Sequence, residues 1–120
     1  MHTISQVAER FGLTLRALRF YEDKGLISPK REGARRLYSD FDVERVAQIA
    51  LWSAAGVPLK TVKMALKHLD DYRARACEVL ILDTVRQEHI KAEVQRKAIA
   101  RIMAFGAFST NPSSGVEQKG

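Results

Sequence analysis

Apolar residues recur at helical spacing near the start of the chain, and two glycines interrupt the pattern. One run covers residues 4–11 and stops at Gly12, and a second begins at Thr14 and stops before Gly25. Two short helices joined by so tight a turn predict a helix-turn-helix, whose second helix usually enters the major groove of DNA. The side chains of that helix expected to face the core are Leu15, Leu18 and Phe20.

A hairpin and two further helices follow. Glu32-Gly33 is a turn signal within residues 30–39, and the alternation after it predicts a small two-stranded wing. Ser39 starts a third helix that is expected to be mostly core, and Pro58 opens a fourth. The apolar positions assigned to the core on these two helices are Phe41, Val43, Val46, Ile49, Ala50, Trp52, Leu59, Val62, Met64, Ala65, Leu66 and Leu69.

The last helical segment is too long for a small domain to cover. Residues 74–107 lack proline, contain one late glycine and are rich in good helix formers, so they predict one long helix. Its apolar residues approximate a seven-residue repeat, and an exposed stripe of this kind is most economically covered by the same helix of a second copy. The positions assigned to this contact, where His89 interrupts the repeat, are Leu82, Val85, His89, Ala92, Ile99 and Met103.

The pattern predicts a mainly α chain with three parts. A winged helix-turn-helix domain covers residues 1–73, a dimerisation helix covers residues 74–107, and a disordered tail covers residues 108–120, where Ser, Gly, Pro and Asn dominate. No stretch approaches the ~18 apolar residues of a membrane helix. We therefore expect a cytoplasmic protein that does not bind membranes, and the single cysteine, Cys77, fits a reducing compartment.

Charge adds a preference for an anionic partner. The formal net charge is +6 and the pI is about 9.8. Between Arg10 and Arg36 eight Lys and Arg residues face only three Asp and Glu residues. Because these cations lie beside Tyr21 and Tyr38, the segment favours nucleic acid over a membrane surface, with ordinary solvated charge as the alternative.

The stretch ISQVAERFGLTLRALRFYEDKGL, followed by RRLY, by AAGVPLKTVKMAL and by the long helix, resembles bacterial regulators of the mercury-resistance (MerR) type. The resemblance implies a homodimer, joined by an antiparallel coiled coil of the long helices, on a pseudo-palindromic operator inside a promoter. Regulators of this type bind promoters whose elements are spaced too far apart. They then bend and untwist the spacer when an inducer arrives, so that RNA polymerase engages both elements.

Residues of the second helix are assigned to DNA on this basis. Arg16 and Arg19 share a helix face, and Arg16 is assigned to bases because a guanidinium binds guanine O6 and N7 bidentately. Thr14, Arg19 and Tyr21 are assigned to phosphates. The alternatives are a solvated position for Arg16 and a core aromatic for Tyr21.

Further DNA contacts are assigned to the wing and the fourth helix. Arg31, Arg35 and Arg36 cluster around the wing turn, although Arg35 is equally well explained as merely exposed. The resemblance assigns phosphate contacts to Arg36 and Tyr38. Lys60 matches a family position that touches the DNA backbone, where the helix N-terminus adds attraction.

The signal that such a regulator would sense is not predicted. Cys77 alone cannot form a soft-metal site, so no metal site and no cofactor are expected. A redox-sensing Cys77 requires a lowered thiol pKa, and the alternative is a buried structural thiol. The competing function is an architectural DNA-bending protein resembling excisionases, against which the long helix argues. Catalysis is not expected, because no phosphate loop or nucleophile motif is present.

Overall fold

The computed structural model describes the backbone of residues 1–109 and the side chains of residues 1–106. The chain divides into two units, one over Met1–Val85 and one from Arg86 onward. Helices dominate, as predicted. The elements in chain order are β1 (His2–Thr3), α1 (Ile4–Phe11), α2 (Leu15–Asp23), β2 (Lys30–Glu32), β3 (Arg35–Tyr38), α3 (Asp40–Ala54), α4 (Leu59–Asp70) and α5 (Ala74–Ser109).

The predicted helix-turn-helix is confirmed, and side-chain caps define its ends. The Thr3 hydroxyl accepts a hydrogen bond from the Gln6 backbone N–H, and the Gln6 side chain accepts one from the Thr3 N–H in return. α1 ends at Gly12, whose φ of 65° is a left-handed conformation that glycine adopts without strain. α2 then starts at once, because the Thr14 hydroxyl accepts from the Ala17 N–H at 3.0 Å.

The predicted wing hairpin is confirmed and is joined by a third strand. β2 and β3 pair antiparallel, with Arg31 opposite Arg36, and β1 pairs with the other edge of β3. The sequence analysis missed β1 because two residues, His2 and Thr3, are too few to show the alternation that marks a strand. The N-terminus is therefore part of the wing sheet.

The core of the first unit draws on every helix. Cys77 and Ile81, from the first turns of α5, pack into it, so this unit continues beyond residue 73, where the predicted domain ends. Their inclusion places the start of the long helix among the core elements. The buried apolar side chains are Val7, Ala8, Leu18, Leu26, Ile27, Tyr38, Val43, Val46, Ile49, Val57, Val62, Ala65, Leu66, Cys77 and Ile81.

Several predicted core positions are wrong. α3 is not mostly core, because only Val43, Val46 and Ile49 are fully buried, while Phe41 is exposed under the guanidinium of Arg45. Met64 is also exposed, because it lies about 200° around α4 from the buried Val62. The remaining departures are milder: Leu15 is exposed at the start of its helix, and Ala50, Trp52, Leu59 and Leu69 are half-buried.

The long helix α5 is confirmed and runs two residues past the predicted end at residue 107. The predicted disordered tail lies outside the described residues from residue 110 onward. Among residues 1–109, no helix combines the length and apolar character that crossing a bilayer would require.

Candidate nucleic-acid interface

The second helix presents its two predicted DNA-binding arginines to solvent. Arg16 and Arg19 are both exposed and lie one turn apart on α2. Thr14 is exposed as well, but its hydroxyl oxygen already caps the helix. The first amides of any helix lack intrahelical partners, so the start of α2 combines free N–H donors with Arg16.

The two adjacent aromatic residues of α2 differ from the prediction. Phe20 was assigned to the core but is 44% exposed, and the Lys24 ammonium lies 5.5 Å from the centre of its ring. Tyr21 packs partly against the core instead. The reason is helical spacing, since Tyr21 lies three residues after the buried Leu18 and Phe20 only two.

Glu22 brings the wing arginines to the end of α2. Its Oε1 accepts a hydrogen bond from Arg36 Nε at 2.6 Å. Its Oε2 accepts from Arg31, at 3.0 Å from Nη2 and 3.3 Å from Nε. The carboxylate therefore joins β2 and β3 to α2 and places the wing beside the second helix.

The electrostatics of this cluster follow from its geometry. Burial raises the pKa of the Glu22 carboxyl, but hydrogen bonds from Arg36 and Arg31 outweigh burial and leave the pKa below its ordinary value. The same hydrogen bond raises the pKa of Arg36. Glu22 and Arg36 are therefore both charged at neutral pH. Arg35 is exposed and makes no ion pair within the described chain.

Glu22 joins the second helix to the wing, and sequence reasoning gave it no role. The signal was present, because Glu22 is an acidic residue inside a basic segment, but its partners lie 9 and 14 residues away. Only the register of the wing, which sets Arg31 opposite Arg36, shows that one carboxylate can reach both.

Tyr38 is placed differently from the prediction. Its side chain is fully buried, with 0% of its surface exposed, and its hydroxyl has no hydrogen-bond partner in the described residues. Burial raises the pKa of that hydroxyl, so the group stays protonated. The predicted phosphate contact is therefore wrong for this conformation, because β3 turns Tyr38 inward, away from solvent.

Lys60 is exposed in the first turn of α4, as a phosphate contact would require. The N-cap residue is Pro58, which offers no side-chain hydrogen bond to the helix. The amides of Thr61 and Val62 donate to the Pro58 carbonyl oxygen. This leaves the amides of Leu59 and Lys60 as the donors that an anion could use beside the Lys60 side chain.

The long helix carries the apolar positions assigned to dimerisation. In the first unit, Leu82 is 47% exposed, whereas Val85 packs partly against the core. In the second unit, His89, Ala92, Ile99 and Met103 are all exposed. The sequence analysis did not assign five other exposed apolar residues of this helix to the contact, namely Val79, Ile90, Val94, Ile102 and Phe105.

Cys77 lies in the core rather than at the surface. It is 5% exposed, and burial raises the pKa of its thiol. A buried thiol with a raised pKa is poorly reactive, so the structure favours the structural interpretation over redox sensing. Within the part of the chain described here, no cluster of three or more metal-ligating His, Cys, Asp or Glu side chains occurs.

Comparison with known proteins agrees with this geometry. A family model described as "MerR HTH family regulatory protein" matches residues 2–69. The transcriptional activator mta of Bacillus subtilis is 30% identical over 105 residues, which are 82% of this chain and 41% of that protein. The chain spans less than half the length of the curated relatives it matches.

Two solved structures show the same fold. The lead(II) complex of the regulator PbrR691 from Ralstonia metallidurans has a TM-score of 0.68 at 23% identity, covering 89% of this chain and 87% of that one. HiNmlR, a MerR family regulator lacking the sensor domain and bound to promoter DNA, has a TM-score of 0.59 at 22% identity, covering 88% and 86%. Identities this low establish the fold alone.

Proposed function

The chain belongs to the MerR HTH family of regulatory proteins, and we propose that it acts as a homodimer that binds a pseudo-palindromic promoter operator and controls transcription. Its relatives are transcriptional regulators, not enzymes. The observation that carries the proposal is the Glu22 contact, which joins an exposed arginine-bearing helix to a basic wing.

Each basic element has a distinct task in this proposal. Arg16 contacts base edges in the major groove, while Thr14, Arg19 and Tyr21 bind phosphates flanking that groove. The wing binds phosphate through Arg31, Arg35 and Arg36, and Lys60 adds a backbone contact at the start of α4. Tyr38 supports the wing from within the core and has no direct contact with DNA.

Dimerisation follows from the exposed apolar residues of α5. A helix with Ile99 and Met103 in water lowers its free energy by packing against another helix, and an identical one is always available. We propose an antiparallel coiled coil between two copies of α5. The contact positions are Leu82, Val85, His89, Ala92, Ile99 and Met103.

Regulation would act through the shape of the promoter. Two DNA-binding units on one duplex bend and untwist the spacer between them, so that RNA polymerase engages both promoter elements. This activity belongs to the cytoplasm, where bacterial promoters are. HiNmlR, a MerR family regulator lacking the sensor domain, is bound to promoter DNA, so a separate sensor domain is not needed for promoter binding in that protein.

The test begins with the DNA itself. Sequencing of the DNA bound to the protein in cells identifies the operator. Titration of the protein against that operator and against a scrambled duplex of equal length then measures its preference for the operator. Light scattering of the free and bound protein gives the number of copies. We expect a dimer and at least about a thousandfold preference for the operator. A stable monomer, or equal affinity for both duplexes, would refute the proposal.

Permanganate probing separates the proposal from the architectural alternative. A promoter regulator protects a spacer between polymerase elements and changes local melting there. An architectural protein bends DNA without regard to promoter elements, and a map of bound sites scattered outside promoters would favour that function instead.

A further inference from the structure

One carboxylate connects the two DNA-binding elements of this fold. Glu22 lies in the last turn of α2, and each of its oxygens binds an arginine from a different wing strand. Arg31 and Arg36 are direct partners in the strand register, so their side chains arise from one point on the hairpin. The three residues form a cluster that we call the Glu22 bridge.

The Glu22 bridge differs from an ordinary surface ion pair. Exposed pairs have little effect on structure, because water screens them and both side chains remain mobile. Here the Glu22 and Arg36 side chains are only 19% and 18% exposed, and both carboxylate oxygens are used. The Arg31 side chain is 52% exposed, so the sheltered Arg36 contact is the stronger of the two links between the wing and α2.

The bridge also leaves hydrogen-bond donors for DNA. Arg36 donates to Glu22 only through Nε, and its two terminal nitrogens donate no hydrogen bond to another side chain among the described residues. Arg31 donates through Nε and Nη2, which leaves Nη1. Each guanidinium can therefore bind Glu22 and a phosphate at the same time.

We propose that Glu22 is a positioning residue for DNA binding, which holds the wing against the recognition helix so that Arg31 and Arg36 meet the phosphates flanking the groove that Arg16 enters. The inference rests on the proposed DNA-binding function and deepens it. Pre-organisation of this kind raises affinity by removing the cost of ordering the wing upon binding.

The sign of the effect separates this role from simple electrostatics. A carboxylate beside a DNA-binding surface repels phosphate, so neutralising an acidic residue there normally strengthens binding. The proposal requires the opposite at Glu22. Asp23 is the matched control, because it is the next residue of α2, is exposed and makes no ion pair among residues 1–109.

The experiment uses the full chain with Glu22→Gln, Glu22→Asp and Asp23→Asn, titrated against operator and scrambled duplexes at several salt concentrations. Asp23→Asn should bind both duplexes as tightly as wild type or more tightly. Glu22→Gln should lose about tenfold in operator affinity, the size expected when a charge-assisted hydrogen bond is lost.

Glu22→Asp keeps the charge but withdraws the carboxylate by one methylene, so it should also weaken operator binding. Binding as tight as wild type by both Glu22 variants would overturn the proposal. In the background of Arg36→Ala, Glu22→Gln should cause little further loss, because the two residues act together. Full additivity of the two losses would contradict the bridge.

A measurement without DNA keeps the inference separate from the proposed function. Hydrogen exchange of the wing amides, residues 30–38, should accelerate in free Glu22→Gln and remain unchanged in Asp23→Asn. Equal exchange in both variants would overturn the positioning role, whatever the DNA result. If wild type does not prefer its operator, the proposed function is refuted. The hydrogen-exchange comparison would still test whether Glu22 holds the wing in place.

Discussion

Replacing Tyr38 with phenylalanine should stabilise the protein. The Tyr38 side chain is 0% exposed, and its hydroxyl has no hydrogen-bond partner in the described residues. A buried polar group without a partner costs roughly 1–3 kcal/mol, because it has lost its hydrogen bonds to water. Tyr38→Phe removes that oxygen and keeps the ring that fills the core. We expect a gain of about 1 kcal/mol in the free energy of unfolding, at the low end of this range.

Thermal unfolding at a fixed protein concentration measures this gain. For a unit of this size, about 1 kcal/mol corresponds to a rise of roughly 4–8 °C in Tm. Operator affinity should remain within about twofold of wild type, which is less than 0.5 kcal/mol by the usual conversion of about 1.4 kcal/mol per tenfold change. Tyr21→Phe is the control, because Tyr21 is only half-buried and its hydroxyl is assigned to phosphate.

The two tyrosines should therefore behave oppositely. Tyr21→Phe should leave Tm nearly unchanged and weaken operator and scrambled duplexes alike. A lower Tm for Tyr38→Phe, or a severalfold loss of its DNA affinity, would show that the Tyr38 hydroxyl has a partner in solution. The predicted gain in stability, which rests on an unpartnered hydroxyl, would then be wrong.

Three further outcomes follow from the same structure. Arg16→Ala should lower the ratio of operator affinity to scrambled-duplex affinity by about tenfold or more, whereas Arg19→Ala should weaken binding to both duplexes equally. An unchanged ratio for Arg16→Ala would contradict the assignment of Arg16 to bases. Ile99→Lys should convert the dimer to a monomer by light scattering, and a persistent dimer would exclude that face of α5 as the contact. The pKa of Glu22 is lowered in the folded state, so the stabilisation it contributes is present above the ordinary carboxyl pKa of 4.5 and is lost as the pH falls through the lowered value. Between about pH 5 and about pH 3, the Tm of wild type should therefore fall more than the Tm of Glu22→Gln. Equal falls in Tm for the two proteins would contradict this prediction.

Local signals in the sequence were sufficient for most of the elements. Thr3 and Gln6 form a capping box, and Gly12 ends α1 in a left-handed conformation, so the first helix follows from neighbouring residues alone. Errors arose where a neighbour from elsewhere in the chain decides burial. Phe20 and Tyr21 are adjacent aromatic residues, and the side of α2 that faces the core decides that Tyr21 is the more buried of the two.

The wing shows the same limit more sharply. The wing was expected to present both Arg36 and Tyr38 to phosphate, yet Tyr38 is in the core and Arg36 is only half-buried. Tyr38 is covered by the core residues it packs with, and Arg36 binds Glu22 at the end of α2. Such contacts involve residues far apart in sequence, and no local pattern encodes them.

The Glu22 bridge also changes what the charge of this chain implies for DNA binding. Counting cations between Arg10 and Arg36 treats all eight as available to phosphate, but Arg31 and Arg36 already share one carboxylate. If the bridge persists on DNA, those two arginines together displace fewer counterions than two free cations would, and the salt dependence is shallower than composition suggests. Affinity at low salt would then come less from charge than from the fixed placement of the wing beside α2.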